Sequence, residues 1–205
     1  MNKLYIFACS YGKHGTIVDN KWVDDNSFGD KLAQKFNMEL KNYSIVGACN
    51  YTILKQLTNV VKSIKDDDMV IVQWTFMHRA WSRYNYTIMP SVDNEISEIY
   101  YKNFYNEQQN LFTLVSYNSY VKSLVNCKYY YSIVDDLNDI KSISKSIYYD
   151  LLDDTTFVKV TDGKNYVSPI YVVKKIPDCV YSCFHPNIKG HDTLANLYYQ
   201  YIDSK

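Results

Sequence analysis

The sequence is poor in arginine, proline and glycine, and it has no long apolar run. Only two of its 22 basic residues are arginine, Arg79 and Arg83, and the 22 acidic side chains balance the charge. Without a run of Lys or Arg, sequence-independent nucleic-acid binding and polybasic membrane anchoring lack their electrostatic basis. No stretch approaches the roughly 18 apolar residues of a membrane span. The opening Met1 to Cys9 carries too short an apolar run for a signal peptide and reads better as a buried first strand. The five cysteines cannot all pair, and Cys179 and Cys183 have no second pair to complete a zinc site. Reduced thiols and a reducing compartment are expected. Gly12-Lys13-His14-Gly15 lacks the spacing of a phosphate-binding loop, so no nucleotide, metal or other cofactor is implied. The four prolines mark no domain joint, there is no repeat or low-complexity linker, and residues 1–205 are expected to form one domain.

What is abundant is tyrosine, 22 in all, within a hydrophobic fraction of 47% and a charged fraction of 21%. That balance is globular, and the residue usage is that of an AT-rich genome, as in many viruses and some bacteria. Short apolar runs at 3–8, 40–46, 69–72 and 128–134 read as strands. Asn26 or Ser27 offers an N-cap to a helix carrying Phe28, Leu32, Ala33 and Phe36. A second helical stripe runs from about Tyr51 to Ile64, and further helical regions cover roughly 93–124, 137–151 and Pro186 to about Tyr201. Residues 155–176 look like short strands around Asp162-Gly163, an irregular insertion. Alternating strands and helices predict an α/β fold in three layers, α/β/α, around a central parallel sheet. Ligands of such sheets bind at the carboxyl ends of the strands, here just after residues 8, 46 and 72 and in the last loop.

The chemistry-bearing residues lie at those places. Ser10 follows the first strand, Gly47 and Asn50 the second, and Trp74 and Thr75 end the third. His185, about 175 residues after Ser10, opens His185-Pro186-Asn187-Ile188-Lys189-Gly190-His191 before the last helix. A serine becomes a useful nucleophile when a base takes its proton, and a neutral imidazole is such a base. Taken alone, Ser10 is a small residue closing a strand, and His185 a helix-capping or core histidine. His191 reads as structural. A thiol nucleophile at Cys9 is a further alternative.

Together these blocks resemble those of the SGNH (GDSL-type) hydrolases, close to the small variants common in phage and viral genomes. Phe7-Ala8-Cys9-Ser10 matches the first block with Cys9 in place of its Asp, Gly47 matches the second, and residues 185–191 match the last. The resemblance spans nearly the full chain and implies an SGNH/flavodoxin-like layering, with Ser10 as nucleophile and His185 as general base. It implies an oxyanion hole from the N–H groups of Ser10 and Gly47, completed by Asn50 or Thr75. Two family residues are replaced: Gln73-Trp74-Thr75 stands where the third block ends in Asn, and Ser182 where an Asp orients the base. A backbone carbonyl or Asp178 is the alternative orienter. Trp74, Trp81 and Tyr84 offer aromatic faces to a sugar, and Arg79 and Arg83 offer cations to a carboxylate or sugar; packing within the loop and a salt bridge are the competing roles. The expectation is a serine esterase removing O-acetyl or similar groups from a carbohydrate, in the cytoplasm or associated with a virion, with a small-molecule or glycan ester as partner. The competing expectation is a non-catalytic binding or structural module on the same fold, such as a glycan-binding virion component.

Overall fold

The computed structural model describes residues 1–13, 16–18, 21–23, 27–81, 87–88, 95–134, 156–161, 166–181 and 185–205. Four parallel strands form the central sheet: β1 (Lys3–Phe7), β2 (Glu39–Asn42), β3 (Met69–Trp74) and β4 (Lys128–Ile133), in the order β2-β1-β3-β4. All six residues of β3 are buried, as expected for a central strand covered on both faces. Beyond β4, Phe157 bridges Tyr131 in parallel, so residues 156–158 extend the sheet edge.

The described helices are α1 (Phe28–Phe36), α2 (Asn50–Val60), α3 (Glu95–Asn103), α4 (Glu107–Leu124), α5 (Pro169–Lys175) and α6 (Ile188–Asp203). Side chains alternate across the sheet and meet different helices. Tyr5 donates its hydroxyl to the Ser63 carbonyl just after α2, and Trp74 donates to Asn118 of α4. On the opposite face, Gln73 and Ser132 meet Tyr198 of α6, whose ring stacks on Phe28 of α1 at 5.2 Å. Burial raises the Tyr198 hydroxyl to about 12, so it stays a neutral partner inside this polar cluster. The result is the expected three-layer α/β/α arrangement.

Several local outcomes differ from the sequence expectation. The helical region at 93–124 is two helices, because Asn106 accepts from Gln109 N–H and starts α4 anew. Of the two candidate caps for α1, Ser27 is the cap, in a reciprocal box with Asp30. The loop after β1 contains an antiparallel pair, Thr16–Val18 with Lys21–Val23. Val160–Thr161 pairs with Tyr166–Val167, and α5 follows at Pro169 behind a Ser168 cap, where only short strands were expected. The helix expected at 137–151 lies outside the described residues. Among the described residues, no helix is long and apolar enough to cross a membrane. Cys9, Cys49, Cys127 and Cys179 are unpaired thiols; Cys183 lies outside the described residues.

Candidate active site

The chain moves from β1 to β2 on one side and then crosses back over β1 to β3. Loops leaving β1 and β3 at their carboxyl ends therefore diverge and leave a crevice. Ser10 begins a short 3-10 turn, Ser10–Gly12, in that crevice. Asn42 at the end of β2 holds this turn by donating Nδ2 to the Gly12 carbonyl at 2.8 Å. Gly12 is required by space: a Cβ there would meet Ala8 Cβ and Ser44 Oγ at 2.6 Å each.

From the other end of the chain, α6 delivers His185. Its Asn187 cap accepts from Gly190 N–H at 3.0 Å and donates Nδ2 to the Asp178 carbonyl at 2.8 Å. The close approach leaves no room for a side chain at Gly190, where a Cβ would lie 2.0 Å from the Cys179 carbonyl oxygen. His185 Nε2 then stands 2.9 Å from Ser10 Oγ, within hydrogen-bonding distance. The Tyr11 ring stacks on the imidazole with centroids 5.0 Å apart, and Lys174 Nζ of α5 lies 4.7 Å from the Tyr11 centroid.

Gly47 follows β2 with φ +72°, a left-handed backbone that favours glycine, although a Cβ would meet nothing within 4 Å. Asn50, nine-tenths buried, is the first residue of α2, and its Oδ1 accepts from Thr75 N–H at 2.8 Å. That bond sets the carboxamide at the end of β3, where the sequence has Thr75 itself. An amide oxygen held by Thr75 leaves the NH₂ end of Asn50 as the donor. The arrangement can therefore pass a proton from the Ser10 hydroxyl to the His185 imidazole.

The remaining sequence candidates fare differently. Thr75 is fully buried and its hydroxyl accepts from Arg79 Nη1 at 3.2 Å. Trp74 is also fully buried, with Nε1 donating to Asn118, so it is a core residue and not a sugar platform. Asp178 sits exposed on a left-handed turn and bonds through its backbone carbonyl; its carboxylate does not contact His185. Ser182, Arg83 and Tyr84 lie outside the described residues. His191 is structural, its buried Nδ1 accepting from Phe28 N–H at 3.2 Å. Cys9 is completely buried. Arg79 and Trp81 line a cleft beside Asn50, together with Tyr51 and Asn110. Sequence reasoning passed over Tyr11, Tyr51, Phe76 and Lys174. Tyr11 had the signal of following Ser10 directly, whereas nothing local marks Lys174. Among the described residues, no group of three His, Cys, Asp or Glu side chains is placed to hold a metal ion.

No protein-family model and no curated protein matches this sequence. Solved structures do match it in shape. The chain is similar to the psychrotrophic esterase EstA from Pseudoalteromonas sp., solved inhibited by monoethylphosphonate, at 14% identity and a TM-score of 0.57 over 100% of this chain and 98% of that one. It is similar to a protein assigned to the G-D-S-L lipolytic family from Desulfitobacterium hafniense, at 10% identity and 0.53, over 98% and 99% of the two chains. A lipase/acylhydrolase from Enterococcus faecalis is similar at 11% identity and 0.51, over 100% and 96%. The chain has the fold of the SGNH (G-D-S-L) hydrolases.

Proposed function

We propose that the protein is a serine ester hydrolase in which Ser10 is the nucleophile and His185 its general base. The observation that carries this is the 2.9 Å approach of His185 Nε2 to Ser10 Oγ across 175 residues of sequence. The imidazole acts with Nε2 unprotonated and its proton on Nδ1. As Ser10 Oγ attacks the ester carbonyl, Nε2 takes the hydroxyl proton and the carbonyl electrons move to oxygen. The oxyanion is held by the N–H groups of Ser10 and Gly47 and by the Asn50 amide. Collapse breaks the bond to the alcohol, which leaves with the proton from His185. Water then loses a proton to the same nitrogen, attacks the acyl-enzyme and releases the acid and Ser10. The oxygen-rich ester of a carbohydrate, an O-acetyl group above all, suits the aromatic faces of Trp81 and Tyr51 at the cleft, whose centroids lie 6.0 Å apart.

Two measurements test the reading. Ser10→Ala should lower hydrolysis of p-nitrophenyl acetate by about 10³-fold or more with an unchanged circular dichroism spectrum. A fluorophosphonate should attach stoichiometrically at Ser10, as an organophosphorus group inhibits the structurally similar Pseudoalteromonas esterase. Equal rates for the variant and the wild type, with no label, would leave a binding module on this fold.

A further inference from the structure

The cleft beside Asn50 has a chemistry that general ester hydrolysis does not require. Its volume is about 280 Å³, and its walls come from the start of α2, the turn after β3 and the α4 helix. Arg79, half-buried, places Nη1 3.3 Å from the Ala48 carbonyl and 3.2 Å from Thr75 Oγ1. Its Nε is buried without a hydrogen-bond partner, and no carboxylate among the described residues pairs with the guanidinium. Asn110, on the opposite wall, is likewise buried at Nδ2, with its amide turned to the Tyr100 hydroxyl. An unmet donor such as Arg79 Nε carries a desolvation cost that a ligand acceptor would remove.

Three further features point the same way. The cleft contains the first turn of α2, whose cap, Cys49, turns its thiol to Thr52 Oγ1 and makes no side-chain capping bond to a backbone N–H. Asn50, nine-tenths buried, lines the same space with its oxygen already used by Thr75 N–H. And the guanidinium is bonded to Ala48, next to Gly47, so the cation sits on the loop that flanks the candidate oxyanion corner. Arg79 also lies on the Phe76 ring at 4.8 Å, and Phe76 packs on Tyr11, the ring under His185. A relay of contacts, Arg79 to Phe76 to Tyr11 to His185, therefore links the cleft with the Ser10–His185 pair.

We infer that this cleft binds a carboxylate carried by the ester substrate, with Arg79 as its principal partner and Trp81 and Tyr51 covering the adjoining carbon skeleton. An acidic sugar on the alcohol side or a dicarboxylic acyl group would each supply that carboxylate. The word substrate rests on the hydrolase assignment above; the anion site does not.

The test has a binding arm and a kinetic arm. In calorimetric titration, adipate should bind the wild-type protein saturably, adipamide should not, and Arg79→Gln should weaken adipate binding by about tenfold or more. In kinetics, the mono-p-nitrophenyl ester of adipic acid is compared with its methyl-capped neutral counterpart, and 4-acetoxybenzoate with its methyl ester. The first pair places the charge on the acyl side and the second on the leaving side. Wild-type kcat/KM should favour the anion by about tenfold in at least one pair, mainly through KM, and Arg79→Gln should erase that ratio. Raising salt from about 0.05 to 0.5 M should shrink the ratio in the wild type, a result that stands even if Arg79→Gln fails to fold. Ester cleavage without preference in either pair, and without adipate binding, overturns the inference and leaves the hydrolase. Adipate binding without cleavage of any ester overturns the hydrolase and leaves the anion site.

Discussion

Asn50 combines a structural bond with the oxyanion role proposed for it. Its Oδ1 ties the start of α2 to Thr75 N–H at 2.8 Å, and the same bond aims its NH₂ group. Asn50→Asp keeps an acceptor for Thr75 and suits a helix start, but it replaces the donor with a negative oxygen. Turnover should fall by about 10² to 10³ with the fold retained, measured by steady-state kinetics beside circular dichroism. His78 contributes a pH dependence of stability. Burial, and then the Arg79 charge, hold its imidazole below the ordinary histidine value. The unfolded chain therefore binds more protons once the pH falls below about 6.5. Stability should decline as the pH drops from there through the lower folded value. Urea midpoints at pH 7 and pH 5 should differ more for the wild type than for His78→Gln.

At the scale of elements, the caps place the catalytic candidates. Ser27 accepts from Asp30 N–H while Asp30 Oδ2 accepts from Ser27 N–H at 2.8 Å, with Ser27 buried and Asp30 half-buried. Helix α1 begins where Phe28 stacks on Tyr198 and donates its N–H to His191, so its start is the seat of α6. Ser27→Ala should cost about 1 kcal/mol of stability, read as a lower urea midpoint at unchanged slope. The Asn187 cap does the corresponding work for the last helix. It ties Asp178 to Gly190 and so holds the start of α6, two residues after His185.

At the scale of the molecule, Ser10 and His185 meet only because β1 lies at the crossover of the sheet and α6 packs back against α1. Neither side chain has a local reason to be near the other. Esterase activity should therefore vanish with the same urea midpoint as the far-ultraviolet signal of the helices. A midpoint for activity well below that of the fold would mean that the His185 loop opens by itself.

The strands and most helices were legible in the chain because their cause is local. Val70, Ile71 and Val72 form a continuous apolar run that only a two-sided sheet can bury, and Ile53 and Leu57 recur at helical spacing. The pairing of Ser10 with His185 was legible only through the resemblance of its flanking blocks, not through any period. Orientation was not legible. Trp74 and Trp81 are the same residue type on one segment, yet one is core and the other lines a cleft, since the side each faces depends on what α4 leaves open. Nor does anything near Thr75 announce that Asn50, 25 residues earlier, occupies the end of its strand. Periodicity along a chain reports burial through local spacing; a donor's direction, and which loop it reaches, come from contacts between segments that the linear order does not contain.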